Sequence, residues 1–285
     1  MKKIYKITIW FIVSVLLLIG GILFVIQTQA FNNWLGNTLS TQVNKQINGT
    51  LRIDSLKGNI LSGIYFKNIH LSQGDSTLVA IDKIKTDYSL QKLLTKTISV
   101  DSLLIDHMRV TGWQKKDSSW NFQHLVLPSN KTEEKDTIQD SKKSNWIIEV
   151  GHLTIRNFTA QLHTLDTASI IPQKTRLNLG LEFRIAGNDI QSRIHHFDLS
   201  ASEPDIRMNR MEGDFRLQSQ TLHWEELNLV FHQTKLHSTG YAVLNDPAMS
   251  HGQLILSPLA VEEFRPWLGD IELYALNIGN EHGLY

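Results

Sequence analysis

The chain has 285 residues, 41% of them hydrophobic, which is ample for a sizeable core and too apolar for a disordered polymer. Its 28 Lys and Arg balance its 28 Asp and Glu, so it lacks the basic field that nucleic-acid binding relies on. With no cysteine, disulfides, thiolate metal sites and cysteine nucleophiles are all excluded, a composition compatible with export.

The N-terminus opens with Lys2, Lys3 and Lys6, followed by an uncharged run from Ile7 to Ile26. About 20 apolar residues is the length at which a helix crosses roughly 30 Å of hydrocarbon. Ile7, Trp10, Phe11, Leu16, Leu17, Leu18, Phe24 and Ile26 are its anchor residues. The basic cluster on the N-terminal side predicts a cytoplasmic tip and a body across the membrane. A cleaved signal peptide ending near Thr28, Gln29 and Ala30 is the rival, but the run exceeds the roughly 7 to 15 residues of a signal core. Residues 1–30 are therefore read as tip and transmembrane anchor.

In residues 31–49, Phe31, Trp34, Leu35, Leu39, Val43 and Ile47 recur at steps of three and four, an amphipathic helical stripe. Such a helix can lie on the membrane interface or plug the open end of a neighbouring β structure, with Asn48 and Gly49 ending it.

After Thr50 the period changes to two. Leu51, Ile53 and Leu56, then Ile64 and Phe66 with a shift to Ile69 and Leu71, then Leu78 to Tyr88 with Ile81 and Ile84, read as strands. The stretch from Ser89 to Thr97 reads as a helical turn. Between Thr97 and Phe122, Ile98, Val100, Leu103, Ile105 and Val110 are spaced like one side of a strand, with one extra residue after Val100 that a bulge or a face switch would produce; Ile98, Val100, Leu103 and Ile105 are expected to face inward. Gly112 and the polar run 114–119 read as a turn, with Trp120 and Phe122 resuming the alternation, so the block is expected to be a hairpin. The phrase Ile98, Val100, Leu103, Ile105 returns as Ile148, Val150, Leu153, Ile155 and again as Leu222, Trp224, Leu227, Leu229. Its unequal intervals point to one strand-building rule reused along a meander.

Residues 128–145 are polar and charged, a linker or loop. From residue 146 to 285 strands are expected near Trp146–His163, Thr175–Ile185, Ile190–Ser200, Ile206–Gln218, Thr221–Phe231, Lys235–Leu244 and Gly252–Leu256, almost all antiparallel. The fold class is thus mainly β: an anchor helix and a short amphipathic helix, a first β segment (50–127), the linker, and a second β segment read as truncated. The long antiparallel meander is expected to curl into a groove.

Gly58 to Leu71 (G-N-I-L-S-G-I-Y-F-K-N-I-H-L), Asp87 to Leu94 (D-Y-S-L-Q-K-L-L), Ile98 to Val110 and Ser119 to Phe122 (S-W-N-F), in that order after an N-terminal anchor, resemble the N-terminal region of AsmA-like proteins, and within them the TamB branch of the translocation and assembly module. The resemblance covers residues 1 to about 125. It implies a long curled β-sheet with an apolar interior in the Gram-negative periplasm, anchored in the inner membrane as a single-pass protein. It further implies a role in phospholipid movement to, or assembly of, the outer membrane, with an outer-membrane barrel of the TamA type as partner. Proteins of that branch are several times longer than this sequence.

From the residues, a sheet with one apolar face must cover it with another layer, with itself or with lipid. Ile53, Phe66, Ile81, Ile98, Val100, Leu103, Ile105, Ile148, Val150, Leu153 and Ile155 are the expected groove lining, with membrane phospholipid as ligand and no cofactor. A dry two-sheet sandwich has the same periodicity, and a non-transporting scaffold that pairs through a free sheet edge is the alternative role.

Catalytic patterns are weak. His195 and His196 are neighbours on a strand with no carboxylate or histidine at ligand spacing in the sequence, so no metal is expected. Asp101, Ser102 and His107 lack a nucleophile elbow. Glu225, Glu226 and Glu262, Glu263 are split between faces, so no enzyme is expected. Asn48-Gly49-Thr50 and Asn157-Phe158-Thr159 match the glycosylation sequon, which matters only in a eukaryotic secretory route. Trp34, Trp113, Trp120 and Trp224 read as packing and interface residues.

Overall fold

The computed structural model describes residues 17, 21, 24–127, 146–165, 172–202 and 205–264. The expected anchor lies largely outside these residues, as does the polar segment 128–145. Among the described residues no helix is long and apolar enough to cross a membrane.

Helix α1 (Gln29–Asn44) starts where the Thr28 hydroxyl accepts the Phe31 amide at 3.2 Å, an N-cap that satisfies one of the orphan donors of the first turn. It ends at Asn44, earlier than its stripe implied: Lys45 closes it in right-handed geometry, and Ile47 forms a β-bridge with Val126. Asn48 and Gly49 therefore belong to the turn after the helix.

Eleven strands then form a single open sheet in sequence order. They are β1 (Thr50–Asn59), β2 (Gly63–Gln73), β3 (Ser76–Tyr88), β4 (Thr97–Trp113), β5 (Ile147–His163), β6 (Lys174–Ala186), β7 (Asp189–Ser202), β8 (Ile206–Gln218), β9 (Thr221–Phe231), β10 (Lys235–Val243) and β11 (His251–Leu256). Tight turns set the hairpins: Gly74 (φ 57°) joins β2 to β3, Gly187 (φ 60°) joins β6 to β7, and Ser219 and Gln220 (φ 48° and 67°) join β8 to β9. At Ser219 and Gln220, positive φ at both central residues gives a turn twist that matches the strands.

Nine of the ten ladders are antiparallel; β4 and β5 pair in parallel, from Thr97 opposite Ile147 to Trp113 opposite His163. This corrects the expectation of an antiparallel meander throughout. A parallel pair needs a long crossover, and residues 114–146 supply it. The expected hairpin within Thr97–Phe122 is corrected with it. Trp120 makes only an isolated bridge to Gln114, Asn121–His124 is a 3-10 turn, and the chain runs on past α1, where Asn48 N–H donates to the Leu125 carbonyl at 2.6 Å. The segments 50–127 and 146–264 thus share one sheet through the β4–β5 seam.

The expected extra residue after Val100 is present. Val100 pairs with Tyr88 and Ser102 with Asp87, leaving Asp101 over, and β5 repeats the slip between Val150 and Leu153. A bulge bends a strand and adds twist. Asn68, His107 and Asn157, all at positive φ near 50°, mark a second band of irregularity across β2, β4 and β5, where the β5–β6 ladder slips between Ile155 and Phe158 while the β2–β3 and β3–β4 registers continue unchanged. Because three-residue spacing occurs in neighbouring strands together, apolar residues on both sides of each band stay on one face.

The helix covers the β1 edge with amides. Gln29 and Asn32 donate to the Leu56 and Gly58 carbonyls at 3.3 and 3.2 Å, while Asn44 both accepts from Leu51 N–H and donates to its carbonyl. An unpaired edge is a template for another strand, and these side chains occupy it. The apolar stripe does not face the sheet: Asn32 and Gly36 are buried there, whereas Trp34 is 58% exposed and Leu39 and Val43 are exposed.

Candidate functional site

The register assembles one row of apolar side chains across every strand. It runs Leu56, Phe66, Ile84, Ile105, Ile155, Leu179, Phe197, Met211, Leu229, Leu236 and Leu256, each directly opposite the next. At about 4.8 Å between strands the row is roughly 48 Å long. Parallel rows flank it on the same face. One contains Leu103, Leu153, Leu181 and Ile194; another Val100, Val150 and Phe183, continuing to Phe215 and Trp224. The Trp224 indole N–H, whose ring borders this face, donates to the Ser238 hydroxyl at 2.9 Å.

Among the described residues no second layer spans this face; α1 lies against Leu56 and the crossover against the Gly112 margin. Leu56 is buried, Leu256 is exposed, and the other nine members of the row are half-buried. The buried apolar side chains are only Leu56, Leu78, Ala80, Val150, Ala201, Ile206 and Phe231 among the described residues. Half-burial arises because side chains on a pleated sheet cover their neighbours' flanks but not their tips. Covering the tips with hydrocarbon contributes roughly 2.5 kcal/mol for each 100 Å² removed from water.

The two margins of the face, at opposite ends of the strands, differ. At one, the crossover folds over the sheet: a Cβ on Gly112 would lie 3.1 Å from the Phe122 ring and 2.9 Å from Leu162, so glycine lets that ring approach closely. Asn121, 1% exposed, accepts the Trp113 amide at 2.9 Å and fixes the turn. At the other end Ile98 pairs with Ile148, Ile148 with Ile185 and Ile185 with Ile190, and Ile98 and Ile190 are exposed at 43% and 37%.

The opposite face is polar and laced with ion pairs. Glu149 receives Lys92 and Arg184, Arg193 lies between Glu182 and Asp214, and Arg109 meets Asp82 at 2.7 Å. Exposed pairs of this kind contribute about 0–1 kcal/mol each, so their main effect is to keep this face wet. The Ser102 hydroxyl donates to Asp87 at 2.8 Å and, with the Lys85 ammonium at 3.1 Å, holds the Asp87 carboxyl below the usual carboxylate range.

The register places the residues expected to line a groove in a few rows across the strands. Phe66, Ile105 and Ile155 lie in the long row, Leu103 with Leu153, Val100 with Val150 and Ile98 with Ile148 in flanking rows, and Ile53 with Ile81 in a row completed by Ile69. The expected lining stopped short of β6 to β11, which contribute Leu179 to Leu256, although the alternation of those strands carried the signal.

The residues considered for a triad do not converge: Ser102 is bonded to Asp87, and His107 Nδ1 lies 3.1 Å from its neighbour Asp106. For His195 the structure departs from the sequence pattern. A bulge at Gly180/Leu181 in the β6–β7 ladder sets it beside Glu182, with His152 close by.

A family model described as the AsmA family matches residues 1–180, from the N-terminus into β6. No curated protein and no solved structure matches the chain. With the sheet continuing beyond the matched region through β11, the chain belongs to the AsmA family, a membership that suggests an envelope role in lipid transport or assembly.

Proposed function

We propose that the chain is a single-pass inner-membrane protein whose tip is cytoplasmic and whose sheet stands in the periplasm, where its apolar face holds the acyl chains of phospholipid bound for, or used in assembling, the outer membrane. The observation that carries this reading is the unbroken apolar row from Leu56 to Leu256, of which Leu56 alone is buried among the described residues. A run of roughly 48 Å is about three times the 15 Å that one leaflet of a 30 Å hydrocarbon core occupies, so it accommodates chains passed along its length. Binding and guidance suffice; the reading needs no cofactor and no chemical step. The ends of the row itself differ, Leu56 being buried and Leu256 exposed, so the path has two unlike mouths.

The anchor is supported by the residues described in it. Leu17 and Phe24 are helical and 72% and 74% exposed, a surface that water disfavours and lipid accepts. The TamB resemblance adds an outer-membrane barrel of the TamA type as partner. A second reading, a scaffold without transport, is favoured by β11, whose six residues are all exposed and whose outer edge is free among the described residues.

Lipid extraction and native mass spectrometry of the purified full chain test the proposal. Co-purified phospholipid that falls several-fold in Phe197→Asp supports it. A chain with no phospholipid above the level of that variant overturns it in favour of the scaffold.

A further inference from the structure

On the polar face, three strands bring together side chains that are far apart in sequence. His152 on β5, Glu182 on β6 and His195 on β7 each offer a ligand-type atom, and these atoms lie within 4.8 Å of one another. His195 Nε2 stands 3.5 Å from Glu182 Oε2, and the two imidazole rings are 6.4 Å apart between centroids.

Bulges create the arrangement. The β5–β6 ladder slips between Val150 and Leu153, and the β6–β7 ladder slips at Leu181, opposite Ile194 and next to His195. Each slip contains a histidine, and the two flank the strand that carries Glu182. Regular strands would not turn both rings toward one carboxylate, since alternation alone fixes every side chain to its own face.

We propose that His152, Glu182 and His195 form a binding site for a divalent transition-metal ion of the zinc class. Two imidazoles and a carboxylate are a donor set that suits such ions, and three protein ligands leave a fourth position for water or a group from a partner. Tetrahedral coordination at about 2.0–2.1 Å sets ligand atoms about 3.3 Å apart. The side chains here must close by about an ångström, which their exposure permits: His195 is 45% and Glu182 37% exposed. Competition for the carboxylate is divided between its oxygens. Arg193 lies 3.6 Å from Glu182 Oε1, leaving Oε2 toward His195, and Arg193 keeps Asp214 as a partner when Glu182 turns. A bound ion would tie β5, β6 and β7 together where two of their ladders are interrupted.

Zinc chloride titrated into the purified full chain, followed by calorimetry and by thermal unfolding, tests the site. The expected result is one zinc per chain with a dissociation constant on the order of 1 μM and a rise in unfolding temperature with zinc. His152→Ala and His195→Ala should each weaken binding at least about tenfold and abolish the rise. His196→Ala should change neither, because that ring bonds Asp198 at 2.6 Å, away from the cluster. Unchanged affinity in either cluster variant, or no saturable binding at roughly 100 μM zinc, overturns the proposal.

Discussion

Ile105 and Ile155 lie directly opposite each other across the one parallel ladder of the sheet, each at the same place in the same repeated phrase. Four such pairs (Ile98 with Ile148, Val100 with Val150, Leu103 with Leu153, Ile105 with Ile155) hold at one constant offset, bulge included. Parallel strands run in the same sense, so identical spacing keeps identical residues level; an antiparallel partner would have to carry the phrase reversed.

The seam is open to a direct check because the chain has no cysteine of its own. Asp106 and Arg156 are paired across it on the polar face. Neighbouring strands stand about 4.8 Å apart, within the span a disulfide bridges. Asp106→Cys with Arg156→Cys should oxidise to an intramolecular cross-link that migrates faster on non-reducing gels and stabilises the chain by about 2–4 kcal/mol. Asp106→Cys with Gln161→Cys should remain reduced.

The same seam shows how much of the fold was legible. The repeated phrase and the extra residue after Val100 were visible as breaks and returns of a two-residue period, and strand limits such as Ile206–Gln218 and Thr221–Phe231 could be read directly. Pairing direction was not, because periodicity records which face a side chain takes and nothing about its neighbour. Trp120 and Phe122 alternate as a strand would, yet four residues suffice for a 3-10 turn whose ring packs on Gly112. The stripe of helix α1 was legible, but the side it turns to the sheet was not: the β1 edge needs hydrogen-bonding amides, so Asn32 and Asn44 take the inner side. The cluster of His152, Glu182 and His195 had no signal along the chain, since it depends on two bulges aligned across three strands.

That edge role gives a second prediction. Asn44→Ala removes both bonds to Leu51 and leaves its N–H and carbonyl unpaired. A loss of about 1–3 kcal/mol is expected, together with faster hydrogen exchange at the Leu51 amide and a greater tendency to aggregate. An unchanged exchange rate at Leu51 would show that the helix does not guard the edge.

Glu263 gives a pH dependence. The 3-10 turn Val261–Phe264 packs back on the β9–β10 turn. Phe264 meets the Phe231 ring edge-on at 5.1 Å, and the Glu263 carboxylate accepts the amides of Gln233 and the fully buried Thr234. Burial alone would raise this carboxyl, but the Thr234 and Gln233 donors outweigh it and hold it below the ordinary glutamate range. A lowered value means that the stabilisation is complete above the unfolded value of about 4.3 and is lost as pH falls through the folded value. Acid titration of the wild-type chain should therefore show loosening of the Phe231–Lys235 turn as pH falls below the ordinary glutamate range. In Glu263→Ala the turn should already be loose at pH 7, with a cost of about 1–3 kcal/mol.

A charge in the row should separate lipid binding from folding. In Phe197→Asp the carboxylate sits among Leu179, Met211 and their neighbours. Because the site is half-buried, the carboxylate can reach water, and a cost of about 1–3 kcal/mol is expected. The circular dichroism of the sheet should persist while bound phospholipid falls several-fold. Asp198→Asn, on the polar face, should leave bound lipid unchanged.

The central claim is that the apolar row carries acyl chains, and site-specific photo-crosslinking in native membranes tests it most directly. A photoreactive residue is placed at Leu179, Phe197 or Met211 in the row, and at Asn178, Asp198 or Glu212 on the polar face. Phospholipid adducts at the three row positions and none at the three polar ones are the predicted result. Adducts spread equally over both faces, or absent from the row, would contradict the account.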